Sequence, residues 1–484
     1  MNIVLLGVSI FLLFQAISGS SNNYVEEVFK WKKVEFEYST DLDNTYVGPY
    51  RYHIPENENI VSMGYHPASG LIVVSFLRTR PGIPTTLGAF CASEYAFGSS
   101  PVIWRFPNPY VNELRSSDFE YYIDNEGRKH FNPLLKYRKN QWEDTLHSKY
   151  EKDFYNGSQV PLKLEDEYSS EIQRIVSVFQ LTMDEKCNRL FFVDNGRITY
   201  NKSITYAIQK PALVVVGLPI TACHIRNFPI VRRVEFPDKI ADKGPDGYTF
   251  VTLDYQSSDS CDGLYLYIPN IFYNFITVYD YKKNEFWTFD HETFNPVLAE
   301  SFFIFDKTLK YEAPLGILNI ALGYPDENGD KLAYYTKVSG TAQYAVSTKV
   351  LKDKSKSDVN YNSKDFKIKG YLGCNHQTLK TVIDYTYGVM FYSEFQSNQI
   401  RCWNMSKPLN PDNIGVVYES DDLKIGSQLF IDSLGYLWFH SSYLSLVYFS
   451  DLPLNLDEFT TKMFRMKVSD VLKGTICYDE RYIL

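Results

Sequence analysis

The sequence predicts an all-β fold, a six-bladed β-propeller carrying charged loop insertions. One pattern recurs six times: an apolar run, a polar turn holding Gly, Asn or Asp, and a second apolar run. That is the pattern of a hairpin whose register is set by its turn. The units start at Ile60, Ile175, Tyr248, Gly316, Leu379 and Ser427, which is 115, 73, 68, 63 and 48 residues apart. Such spacing is too long and irregular for a solenoid, and it is at or above the roughly 40–45 residues of a four-stranded blade. The chain is also rich in strand-favouring rings, with 39 Tyr and 33 Phe. A two-sheet sandwich, the competing all-β architecture, would leave six regular units unexplained.

Taken in order, residues 1–20 (MNIVLLGVSIFLLFQAISGS) are apolar, end in small residues and precede the first charge at Glu26. They read as a secretory signal peptide, and no other stretch is long enough to span a bilayer. Residues 21–484 are then a single propeller domain of 464 residues, 484 less 20, or about 77 per blade. The first unit is IVSMGYHPASGLIVVSF. A charged, tyrosine-rich insertion follows at about 112–172, with a short helix expected near Gln141 to Phe154. In the third unit, FITVYDYKKNEFWTF (Phe275 to Phe289) supplies two alternating runs around a charged turn, which suits outer strands. A second insertion at about 351–370 is polar and lysine-rich, and reads as a surface loop.

Composition excludes some partners. The signal segment is uncharged, so the mature chain keeps the net charge of −9, which argues against nucleic acid and anionic membrane. Seven cysteines suit an oxidising compartment and leave at least one unpaired. Asn156, Asn201 and Asn404 each begin a glycosylation sequon. The histidines, His66, His224, His376 and His440 among them, lack metal-ligand spacing, so neither a metal nor another cofactor is expected. Asp184, Asp254, Asp384 and Asp432 recur after the first strand of their hairpins, where an Asp caps a tight turn through its own backbone.

Ordered blocks along the chain carry a resemblance. They are FKWKKVEFEY, RTRPGIPTTLGAF with SSPVIWRFPNP, DEKCNRLFFVDNG, VVVGLP with VRRVEFP, GILNIALGY, YGVMFYSEFQSNQIRCWN, DSLGYLWFHSS and VLKGTIC. In these the chain resembles the yellow and major royal jelly protein family of insects. The resemblance implies a secreted, extracellular six-bladed propeller with two disulfides, Cys187 to Cys261 and Cys402 to Cys477. Of the additional cysteines Cys91, Cys223 and Cys374, a third bridge from Cys91 to Cys374 is the expectation.

Six inner strands converging on an axis make a preformed pocket, and ring-rich walls suit a small aromatic or cationic guest. The resemblance implies a biogenic amine, a catechol or another aromatic there, and places four positions around it. The family block LWVLSNR reads LWFHSSYLS here, so Ser442 replaces its Asn and Leu444 stands where amine binders use an aromatic. Ser427 matches a hydroxyl-bearing position, and Leu318 stands where a Phe would stack. Loss of two ring walls weakens amine affinity. Ligand binding therefore ranks first. A cuticle or eggshell structural role, or a part in pigmentation, ranks second. Dopachrome-converting isomerase activity ranks last, with His440 and Tyr443 as its acid–base candidates.

Overall fold

The computed structural model describes residues 24–37, 53–80, 82–108, 110–114, 121–124, 126–131, 174–200, 204–220, 223, 225–257, 259–305, 309–357, 363–424, 426 and 428–479. Residues 1–20 and the helix expected near Gln141 to Phe154 lie outside that set.

Each of the six hairpin units grows into a four-stranded antiparallel sheet. The first comprises Ile60–His66, Leu71–Phe76, Leu87–Cys91 and Trp104–Arg105, and the second Thr182–Asp184, Arg189–Asp194, Ala212–Gly217 and Ile230–Glu235. The third comprises Thr252–Tyr255, Leu264–Asn270, Phe275–Asp280 and Glu285–Asp290, so the Phe275 to Phe289 segment does supply two successive strands. The fourth comprises Ile317–Leu322, Leu332–Lys337, Ala342–Ser347 and Lys367–Tyr371, and the fifth Thr378–Asp384, Val389–Glu394, Gln399–Asn404 and Ile414–Glu419. The sixth combines Leu429–Ile431, Tyr436–Ser442 and Thr461–Lys467 with the N-terminal strand Val25–Trp31, paired antiparallel from Val25 opposite Met466 to Trp31 opposite Thr461 with a shift of register between Glu27 and Phe29. The turns use residues that tolerate a left-handed backbone, as at Asn274 (φ 55°) and Asn284 (φ 58°) in the third sheet.

Polar side chains near the inner strands stitch each sheet to the next. Leu181 N donates to Ser62 Oγ (3.1 Å), Thr182 Oγ1 to Val251 O (2.7 Å), and Thr252 Oγ1 to Ile320 O (2.7 Å). Asn319 Nδ2 donates to Thr381 O (2.8 Å), Ser393 Oγ to Gly426 O (2.7 Å), and Gln428 Nε2 returns to Met63 O (2.9 Å). The chain of bonds thus runs from the first sheet to the sixth and back, which is the closure of a β-propeller. Buried backbone carbonyls that inner-strand crowding would orphan are satisfied in this way.

Two parts of the sequence reading are corrected. Residues 351–370 are not simply a loop: Thr348–Lys352 is helical, and Lys367–Tyr371 is the outermost strand of the fourth sheet, while residues 358–362 lie outside the described set. The third disulfide joins Cys91 to Cys223 (Cα–Cα 5.4 Å), and Cys374 is free and exposed. Cys91 ends a strand of the first sheet, and Cys223 lies in the connection between Gly217 and Ile230 that reaches across to it. Cys374 falls in the connection between the fourth and fifth sheets. The other bridges are Cys187–Cys261, between turns of the second and third sheets, and Cys402–Cys477, from the fifth sheet to the C-terminal segment. Among the described residues no helix is long and apolar enough to cross a membrane.

Three of the four hairpin aspartates cap turns. Cys187 N, Tyr387 N and Leu434 N donate to Asp184, Asp384 and Asp432 respectively. Asp254 is instead buried between Lys331 Nζ (2.6 Å) and the Tyr267 hydroxyl (2.8 Å). Additional structure decorates the ring. Arg197–Tyr200, Ile204–Ala207, Tyr121–Ile123 and Lys129–Phe131 form a separate sheet, and a hairpin of Phe302–Phe305 and Leu309–Glu312 projects between the third and fourth sheets.

Candidate functional site

Segments next to all six sheets line a cavity of about 130 Å³ at one end of the ring. Phe179, Thr249, Leu318 and Leu379 come from the entries of inner strands, Arg78 from the end of a neighbouring strand, and Leu444 from the helix Leu444–Phe449 that follows the sixth sheet.

The roof is aromatic because of a simple alternation. In Phe302–Phe305 the odd positions point in and the even ones out, leaving Phe302 63% exposed while Phe303 and Phe305 are buried. Phe305 lies parallel to Tyr311 across the hairpin, with centroids 4.9 Å apart, and against Phe395 at 5.5 Å. Tyr311 stacks in turn on Phe449 at 4.0 Å. Four rings from three elements thus form one layered wall. Burial raises the Tyr311 and Tyr448 hydroxyls well above the ordinary phenol range, so both stay neutral.

The polar part of the lining is positioned by the buried Asp194. Val176 N and Ser177 N donate to its carboxylate, and Gly196 N does so at 3.0 Å, fixing the start of the strand that carries Arg197. Asn195 Nδ2 donates to Tyr248 O (3.1 Å) and Tyr248 N to Asn195 Oδ1 (3.0 Å), which docks the next loop. That loop holds Asp246, whose carbonyl accepts from Asn270 Nδ2 (2.7 Å). Gly247 follows at φ +82°, where a Cβ would come within 2.5 Å of the Phe272 ring, so only glycine fits. Burial raises the Asp246 carboxyl above its ordinary value, opposed by the Arg197 charge and the Thr199 hydroxyl. Arg78, though it lines the cavity, is committed to the scaffold. Its guanidinium donates to the carbonyls of Ile83, Val176, Pro84 and Asn112 at 2.7–3.3 Å.

The residues singled out from sequence are distributed unevenly. Leu318 and Leu444 line the cavity. Ser442 is buried on the strand Tyr436–Ser442, its Oγ without a hydrogen-bond partner among the described residues, and it is not part of the lining. Ser427 lies outside the described residues. His440 and Tyr443 do not line the cavity either. His440 is 0% exposed and hydrogen-bonded to the Ile60 backbone, with its pKa pushed down by burial to about 4. The Tyr443 hydroxyl points to Glu458 (3.4 Å). Asn156 and Asn201 lie outside the described residues. Asn404 is 1% exposed, its Nδ2 donates to Cys477 O and its Oδ1 accepts from Ser406, so as folded it offers no free amide to a glycan.

Sequence reasoning did not single out Asp246, Arg197 or the aromatic hairpin. Asp246 sits in Gly-Pro-Asp-Gly, which reads as a turn, and Phe-Phe-Ile-Phe shows the alternation but falls between two repeat units.

The sequence profile of the major royal jelly protein family matches residues 176–477. Yellow-related salivary protein SP03 of Phlebotomus perniciosus is 31% identical over 305 residues, covering 63% of this chain and 74% of that one. Yellow-related salivary protein LJM111 of Lutzomyia longipalpis is 33% identical over 314 residues, covering 63% and 73%. L-dopachrome tautomerase yellow-f of Drosophila melanogaster is 25% identical over 483 residues, covering 96% of each chain. The matched span runs from the second sheet through the sixth and includes both the Cys187–Cys261 and Cys402–Cys477 bridges. This chain therefore belongs to the major royal jelly protein family.

Proposed function

We propose that the protein is a secreted, single-domain six-bladed propeller that binds a small aromatic or amine ligand in the cavity at the end of its axis. The observation that carries this reading is one cavity of about 130 Å³ lined both by the layered wall of Phe395, Phe305, Tyr311 and Phe449 and by a half-buried carboxylate, Asp246. A cavity of roughly 150 Å³ lined by apolar side chains holds one benzene-sized guest, so the volume suits a single ring. Ring faces attract an ammonium by about 0.5–2 kcal/mol each, and the carboxylate adds a charge-assisted hydrogen bond. In this reading residues 1–20 direct export, Asn156 and Asn201 carry glycans, and no cofactor takes part. The disulfides and the salivary naming of several relatives support an extracellular setting.

Titration calorimetry with arylalkylamines, catechols and neutral aromatics tests it. Binding that weakens tenfold or more in Asp246→Asn, about 1.4 kcal/mol, is the expected result for the amines. No heat and no rise in melting temperature with any member of the panel would remove the reading. A second reading, isomerisation of dopachrome-like substrates, draws on the full-length similarity to yellow-f and on Asp246 as the carboxyl available for proton transfer. Loss of dopachrome absorbance faster than in buffer, abolished by Asp246→Asn, would select it.

A further inference from the structure

The cavity presents two opposite charges, not one. Asp246 reaches it from the loop before the third sheet, and Arg197 from the strand Arg197–Tyr200 of the separate sheet. They act on each other through space but form no ion pair, and the Arg197 guanidinium makes no hydrogen bond with any described residue. The other guanidinium in the lining, Arg78, already donates to four backbone carbonyls. Arg197 is thus the cation with donors to spare, held beside an aromatic wall and a carboxylate.

A simple amine would satisfy Asp246 and leave its ammonium close to a second positive charge. A ligand with a carboxylate beside the ammonium answers both groups, because the planar guanidinium fork matches a carboxylate with two parallel N–H donors. We propose that the cavity selects a zwitterionic aromatic ligand, an aromatic α-amino acid, with Asp246 taking the ammonium, Arg197 the carboxylate and the Phe305–Tyr311 wall the ring. This rests on the binding reading above and narrows its ligand class. The separation of the two charges across different elements gives specificity against both singly charged analogues, since each leaves one half-buried charged group unanswered.

The test uses ligands that differ in one group: L-tyrosine, tyramine, which lacks the carboxylate, and 3-(4-hydroxyphenyl)propionate, which lacks the ammonium. Calorimetry on the whole protein should show the amino acid binding at least tenfold tighter than either. Arg197→Met should erase its advantage over tyramine, and Arg197→Lys should restore part of it. Circular dichroism and melting temperature establish that the variants fold. If Arg197→Met does not fold, Arg197→Lys and Asp246→Asn serve, each expected to narrow the preference on its own side. Tyramine binding as tightly as tyrosine, or a preference unchanged in a folded Arg197 variant, overturns the zwitterion proposal and leaves the binding reading intact. Failure of all three ligands and of the wider panel overturns the binding reading itself.

Discussion

His440 was a candidate acid–base group, yet its burial gives it a measurable role in stability instead. In the folded chain its ring is enclosed and neutral, with the pKa lowered from 6.5 to about 4. Above pH 6.5 the folded and unfolded chains both carry a neutral ring, and the group is silent. As pH falls below 6.5 the unfolded chain takes up a proton that the native chain refuses, so stability is lost until the native ring also titrates near pH 4. The linkage relation puts the loss at about 2 kcal/mol by pH 5 and about 3 kcal/mol by pH 4. His440→Gln removes the titration while keeping a polar side chain. Denaturant unfolding of both proteins at pH 7, 6, 5 and 4 is the assay, and the quantity of interest is the change in their difference with pH. That difference cancels His66 and His291, whose pKa values are also lowered by burial. The wild type should lose about 3 kcal/mol more than the variant between pH 7 and 4. Parallel curves would show that the ring is accessible to protons in the fold, and would refute the burial on which the reasoning depends.

Further expectations concern the scaffold. Replacing Cys91 and Cys223 together by Ser should lower stability by up to about 5 kcal/mol, the chain-entropy value for a 132-residue loop. Cys374→Ser should change nothing, and a peptide map without reductant that links Cys91 to Cys374 would contradict the assigned pairing. Arg78→Met should cost about 3–5 kcal/mol, because four buried carbonyls lose their donor, and Arg78→Lys should recover only part when measured by chemical denaturation. Lys380 is 1% exposed, with only Gln180 Oε1 at 3.4 Å and the Phe250 ring against its amine among the described residues, and burial pushes its pKa well below 10.5. Lys380→Met should therefore stabilise the protein at pH 7 by about 1 kcal/mol or more. The gain should shrink as pH rises toward 10.5, where the unfolded lysine also becomes neutral. A variant less stable than wild type at pH 7 would mean that the amine holds a bond worth more than its desolvation.

The hairpins were legible because alternation and turn chemistry are properties of neighbouring residues. Leu264–Asn270 and Phe275–Asp280 could be read from their own side chains and the left-handed Asn274 between them. Less of the site was legible. Leu318 and Leu444 fell at the cavity through likeness to known blocks, but Ser442, His440 and Tyr443 occupy the same short segment without lining it. Direction of a side chain in that segment depends on where Tyr436–Ser442 ends and the helix Leu444–Phe449 begins, which the local pattern leaves open. Asn404 likewise satisfies a sequon and is consumed by packing against the C-terminal segment.

By itself the sequence determined the all-β character, the six repeated hairpins and the net negative charge of the chain. Tertiary structure decided the rest: pairing of Val25–Trp31 with Thr461–Lys467, the Cys91–Cys223 bridge, and the meeting of Asp246, Arg197 and the Phe305–Tyr311 wall in one cavity. The reason is physical. A strand and its turn are fixed by interactions within a few residues, whereas closing a ring and assembling a pocket bring together segments separated by tens to hundreds of residues. Those meetings depend on loop entropy and on complementary packing surfaces, which no local pattern encodes.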